Sequence, residues 1–160
     1  MEKVLTGVKI LDFSRWFAGP YAATLLAAMG ADVIRVERPT GEEERNFGPH
    51  APNGESMLTM VTLQNRKGIT LDPLSDKGKG IVEKLVKNSD VVLHSYVSGS
   101  EEEKLLGYDS LKLVNPAIIV AKVSGFGRGS FDDRIPMPFR DGKGLGIGKW
   151  GCGPGNQYRL

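Results

Sequence analysis

The stretch Val8–Pro39, VKILDFSRWFAGPYAATLLAAMGADVIRVERP, decides the fold. Its opening, Val8 to Phe13, is a short apolar run with the length and β-branched content of a buried strand. A turn of small residues follows. Pro20 then suits the first position of a helix, where its missing N–H would be unpaired in any case, and Tyr21 to Met29 supplies an Ala/Leu run that Gly30 can close as a left-handed cap. Asp32 to Glu37 alternates apolar and charged side chains and reads as a second strand. The unit is therefore βαβ with a right-handed crossover. Ligands of such units sit beyond the carboxyl ends of the strands, where the Phe13–Ala18 loop meets Glu37, Arg38 and Pro39.

Outward from this unit the same alternation continues. Ser75 N-caps a helix running to about Asn88, with Ile81, Val82, Leu85 and Val86 on one stripe; Asp90 to His94 and Ala117 to Val123 are further strands. Ser56 to Leu63 reads as a short buried helix and Ile69 to Asp72 as a short strand. Two short helices are expected between the last strands, Glu101 to Leu106 ended by Gly107, and one capped by Asp109 that Asn115–Pro116 breaks. Thr40 to Glu55 lacks periodicity and reads as a long surface loop, with Glu42, Glu43 and Glu44 as a solvated face. The expected architecture is α/β, an open Rossmann-like parallel sheet flanked by helices. From Arg140 glycine recurs at nearly every second position, so residues 140–160 are expected to form an irregular tail beyond a domain spanning 1–139.

Composition narrows the function. A chain of 160 residues with 40% hydrophobic and 25% charged residues has room for one domain with a sizeable core. A net charge of +2, with basic residues spread along the chain, gives no reason to expect nucleic acid as a partner. One cysteine, Cys152, rules out an intrachain disulfide, and two histidines cannot supply a zinc-ligand spacing, so no metal is expected. No apolar run is long enough to span a membrane and no signal-peptide pattern opens the chain; the expectation is a cytoplasmic protein without a membrane partner.

The residues themselves carry modest chemical signals. Ala18–Gly19–Pro20 before a helix offers backbone N–H groups to an anion, or is simply a tight turn. Arg15 and Arg38 stand at strand ends, where each is either a phosphate clamp or a salt-bridged surface arginine. Trp16 and Phe17 cannot easily point the same way, and an exposed ring beside an arginine suits a nucleotide base. His94, at a strand end, reads as a hydrogen-bonded core histidine ahead of a base. Cys152, with no basic neighbour closer than Lys149, makes a poor nucleophile.

Taken together, Leu11–Asp12–Phe13, Ala18–Gly19–Pro20–Tyr21–Ala22, Met29 to Pro39, Asn65–Arg66–Lys67 with Leu71–Asp72, Asp90–Val91–Val92, Gly99, Leu106 to Asp109, Asn115–Pro116 and Ser124 to Gly127 resemble the class III coenzyme A transferase family, of which formyl-CoA transferase and carnitine CoA-transferase are members. The resemblance covers about residues 4 to 134. It implies a CoA-binding Rossmann-like half from a family of interlocked homodimers. There an aspartate attacks an acyl-CoA thioester to give an aspartyl-acyl anhydride, on which the released CoA thiolate and an incoming carboxylate then exchange places. Matching positions imply Phe17 and Ala18 at adenine and ribose, Arg38 at the phosphates and Leu71 beside the base. They imply His94, Ser95, Tyr96, Val97 and Lys104 along the pantetheine or phosphate path, although Phe17 replaces a polar residue of some members and Lys104 stands one place from the family's arginine. Beyond that span, where family members enter an apolar helix, this chain has Phe139–Arg140–Asp141 and then the glycine tail, and neither Asp133 nor Asp141 matches the family's aspartate. The expectation is a truncated CoA-binding fragment with no catalytic residue of its own. An acyl-CoA racemase relative and a non-catalytic CoA-binding or dimerisation module are the alternatives; the absence of a histidine in Pro136–Phe139 disfavours the racemase.

Overall fold

The computed structural model describes residues 3–125 and residue 127. Strands β1 (Lys9–Phe13), β2 (Asp32–Glu37), β3 (Lys67–Thr70), β4 (Val91–His94) and β5 (Ile119–Lys122) form one sheet in the order β3-β2-β1-β4-β5. Every neighbouring pair is parallel. Helices α1 (Ala18–Ala28), α2 (Met57–Thr62), α3 (Asp76–Lys87), α4 (Glu101–Leu106) and α5 (Tyr108–Val114) occupy the connections. The expected open, doubly covered α/β sheet is therefore present. The expectation for 140–160, and the boundary at 139, lie outside the described residues.

The period of two along β1 and β2 distributes the core to both faces. Leu11, Phe13 and Val36 face a cluster with Leu71, Val82, Val86, Val92, Tyr96, Leu106, Leu111 and Ile118, which α3, α4 and α5 cover. Ile10 and Val33 face the other cluster, with Ala23, Ala27, Ala31 and Leu93, under α1. Alanine on the buried side of α1 lets the helix lie close to the sheet. Its opposite side leaves Phe17, Tyr21, Leu25 and Met29, four residues apart in turn, exposed as one apolar row, and Met57, Met60 and Val61 of α2 are exposed as well.

Helix ends show where the sequence was legible and where it was not. Gly30 ends α1 at φ +109°, its N–H donating to Ala27 O while Ala31 N–H reaches Leu26 O, the paired bonds of a Schellman cap. Ser75 and Ser100 cap α3 and α4, accepting from the N–H groups of Gly78 and Glu103. Pro20 is the third residue of α1, not the first, because the helix begins two residues earlier with Phe17 as its N-cap. Gly19 makes that early start possible: a Cβ there would stand 2.3 Å from Ser14 Cβ, so only glycine lets the helix begin against the end of β1. Gly107, at φ −70°, caps α5 in place of Asp109, which lies in its first turn.

The largest departure is segment 40–46. Glu42 and Glu44 are buried, 4% and 1% exposed, and only Glu43 has the solvated position expected of all three. A 3₁₀ turn at Glu43–Asn46 folds the two outer acids inward because a set of arginines awaits them. Arg35 shares the α1-facing side of β2 with Val33, and its guanidinium, 3% exposed, pairs with Glu44 Oε1 at 2.6 Å and Asp12 Oδ2 at 3.4 Å and donates to Ser14 O. Arg66 adds a 2.5 Å pair to Asp12 and donates to Pro20 O and Thr24 Oγ1, each at 2.7 Å. Charges this deep are tolerable only when paired and hydrogen-bonded. The network ties β1, β2, the start of α1 and segment 40–46 into one unit.

Candidate functional site

In the order β3-β2-β1-β4-β5 the direction of winding reverses between β1 and β4, and Phe13 pairs with His94 at the carboxyl edge of that junction. The helices that follow β1 and β4 cover opposite faces of the sheet, and the carboxyl edge of such a reversal is where ligands of these sheets usually bind. The two loops are locked together. Arg15 N–H donates to Ser95 Oγ at 2.8 Å, and the Arg15 guanidinium carbon lies 4.7 Å above the Tyr96 ring. Trp16 follows in a left-handed conformation, φ 69°, costly for a bulky residue and held by its N–H contact to Glu44 Oε2 at 3.4 Å and by packing of its ring on Phe47 at 5.6 Å. This turn sends the two aromatic side chains apart. Trp16 is partly covered, while Phe17 is half exposed and stacks with Tyr21 at 5.4 Å and 11°.

Charge concentrates where β1 and β2 end. Arg15 Nε lies 3.2 Å, and Arg38 Nη2 3.0 Å, from the same oxygen, Glu42 Oε2. Glu42 Oε1 accepts from the Arg38 N–H at 3.1 Å, so the carboxylate is anchored from both sides. Glu43 adds a 3.6 Å contact to Arg38. Burial works against the charge on Arg38, but Glu42 and Glu43 outweigh it and hold the guanidinium firmly protonated. Glu44 is pushed upward by burial, an effect its Arg35 partner only partly offsets. Burial likewise raises the Tyr96 phenol.

The sequence-expected residues fall into four groups. Phe17, Ala18 and Arg38 stand at the carboxyl edge, and so do Ser95, Tyr96 and Val97, which the Arg15 contacts bind to the first loop. Leu71 follows β3 and donates its N–H to Glu37 O, but its side chain is in the core. Lys104 is exposed on α4 and pairs with Glu101 at 2.7 Å, within its own helix. His94 is 1% exposed, beside Lys122 in the β4–β5 register and 6.0 Å from the Tyr96 ring. Its Nδ1 has no hydrogen-bond partner, contrary to the expectation of a satisfied core histidine. Burial, and then the charge of Lys122, press its pKa down to about 4, so the ring is neutral at physiological pH.

Sequence reading missed Glu42 as a member of this site and left Arg15 undecided. A signal existed. Arg35 and Asp12 occupy inward-facing positions of strands, and a buried arginine demands acids from elsewhere in the chain; the nearest run is Glu42–Glu44. A polar depression of roughly 350 Å³, lined by Lys9, Lys87 and Asn115 among others, lies at the opposite, amino-terminal end of the sheet, away from these residues.

The family model for CoA-transferase family III matches residues 5–137. The formyl-CoA:oxalate CoA-transferase of Afipia carboxidovorans is 40% identical over 134 residues, 83% of this chain and 32% of that protein. The succinyl-CoA–D-citramalate CoA-transferase of Chloroflexus aurantiacus is 37% identical over 143 residues, 89% of this chain and 34% of its own length. A solved CAIB/BAIF family protein from Brucella suis superposes with a TM-score of 0.76 at 32% identity, covering 84% of this chain and 37% of that one. The chain thus spans about a third of the length of the relatives it matches.

Proposed function

The chain belongs to CoA-transferase family III, and from that membership we propose that it supplies the coenzyme A-binding part of a protein that moves CoA between an acyl-CoA and a carboxylic acid. The observation that carries the proposal is the meeting, at the β1/β4 junction, of an exposed aromatic ring with a fixed pair of arginines. Such a crevice suits the nucleotide end of CoA: a planar base beside Phe17 and Ala18, with phosphates at Arg38. Leu71 supports the base region from the core side. The loop Ser95–Val97 then offers a path for pantetheine, with His94 neutral beneath it and Lys104 at its outer end. A neutral His94 can exchange a hydrogen bond without placing a second cation beside Lys122.

No residue of 1–160 is assigned a catalytic role. The carboxylate that forms the family's acyl anhydride has no match here, so residues 1–160 by themselves bind and orient the coenzyme but are not expected to exchange acyl groups. We further propose a cytoplasmic homodimer. The exposed apolar residues Leu25 and Met29 of α1, with Met57, Met60 and Val61 of α2, support association with further protein surface.

Calorimetric titration of the chain with CoA tests the reading, with Arg38→Ala as the comparison. CoA binding weakened about tenfold in the variant is expected, of the size that loss of one charge-assisted phosphate contact produces. An affinity equal to the parent's removes Arg38 from the site.

A further inference from the structure

Arg15 and Glu42 lie outside the residues assigned to CoA by the family pattern, yet the geometry at the carboxyl edge turns on them. Glu42 is 4% exposed and faces inward, whereas the side chains of Arg15 and Arg38 are 19% and 33% exposed. The carboxylate therefore touches the inner side of both guanidiniums, and an arriving ligand meets only their outer side. Neither the Nε of Arg15, nor that of Arg38, nor Glu42 Oε2 has an aligned hydrogen bond. The contacts of Glu42 Oε2 with the two guanidiniums are ion pairs, while Glu42 Oε1 accepts from the Arg38 N–H and fixes the carboxylate.

We propose that Arg15 binds the CoA phosphates together with Arg38, and that Glu42 is the positioning residue that holds the two guanidiniums as a pair. The inference rests on the coenzyme reading given above. A free arginine side chain loses rotamer entropy when it is fixed on a ligand. Here that loss is already taken in the unliganded fold. Three constraints hold Arg15 in place: the bond of its own N–H to Ser95 Oγ, the Tyr96 ring beneath it and Glu42 at its inner edge. Two guanidiniums against one shared carboxylate leave an excess of positive charge facing the crevice, which Glu43, at 3.6 Å from Arg38 and half exposed, offsets only weakly.

The test compares the parent chain with Arg15→Ala, Arg15→Lys and Glu42→Gln by calorimetry, using CoA and 3′-dephospho-CoA as probes, at about 0.02 M and about 0.5 M NaCl. Urea unfolding of each variant reports separately on the fold. CoA affinity is expected to fall tenfold or more in Arg15→Ala, less in Arg15→Lys, and three- to tenfold in Glu42→Gln. Each loss should shrink at the higher salt, which a purely structural defect would not do. Affinity for 3′-dephospho-CoA reduced by the same factor as for CoA assigns Arg15 to the diphosphate, and a smaller reduction assigns it to the 3′-phosphate; either supports the pairing. CoA binding by the parent that persists undiminished in Arg15→Ala overturns the proposal and leaves the coenzyme reading standing. Tighter binding in Glu42→Gln overturns the positioning role by showing that the carboxylate competes with the phosphates. Absence of CoA binding by the parent overturns both readings at once.

Discussion

His94 gives a test of the buried crevice floor that needs no ligand. Its folded pKa of about 4 lies below the ordinary histidine value of 6.5, first because burial disfavours the imidazolium and then because Lys122 repels it. The unfolded chain therefore binds the proton more tightly than the folded one. By linkage the contribution to stability is fully present above about pH 6.5 and is lost progressively as pH falls toward 4. Over pH 7.5 to 4.5 the loss amounts to about 2–3 kcal/mol at about 1.4 kcal/mol per pKa unit. His94→Phe keeps a flat ring beside Tyr96, cannot be protonated, and removes the unpartnered Nδ1. Urea unfolding of both proteins at pH 7.5, 5.5 and 4.5 gives the difference between their stabilities. Titration of Glu37 and Glu44 is common to both and cancels. At pH 7.5 the variant should match or exceed the parent, since it no longer buries an unsatisfied polar atom. At pH 4.5 it should have gained about 2–3 kcal/mol relative to the parent. A difference that stays constant with pH refutes the depressed pKa, and one that moves the other way shows that His94 gains a partner for its charged form.

The other expectations concern the charge network and the first turn. Glu44→Gln should destabilise the chain by about 3 kcal/mol, because Arg35 keeps its charge and loses its 2.6 Å partner, whereas Glu43→Gln, half exposed, should change stability by less than about 0.5 kcal/mol. Equal effects in chemical denaturation would return the whole Glu42–Glu44 run to a solvated face. Gly19→Ala should cost about 1–3 kcal/mol by thermal unfolding, since its Cβ would overlap Ser14 and push α1 off the end of β1. An unaltered melting temperature would mean that the helix can start elsewhere.

What could be read from the sequence was what local pattern determines. β1 and β4 announce themselves because burial on both faces of a parallel sheet favours apolar runs, β2 by its alternation of apolar and charged side chains, and Gly30 and Ser75 end or begin helices through bonds made within a few residues. Parallel order follows from the alternation of strands with helices, and with it the edge where a ligand would sit. The charge network escapes such a reading because its partners are distant in sequence: Asp12 meets Arg66, and Arg15 meets Glu42 and Ser95. Three consecutive glutamates look solvated when their surroundings are unknown, since an isolated carboxylate is never buried at tolerable cost. Only the parity of β2 contains the correction. With Val33 inward, Arg35 must be inward too, and a guanidinium on a buried face selects whichever acids the next loop can deliver. The same requirement shapes the crevice. Glu44, drawn in by Arg35, holds the left-handed Trp16, and that turn leaves Phe17 outside and Arg15 over Tyr96. A strand residue with no ligand contact of its own thus fixes the conformation of the loop that would hold one.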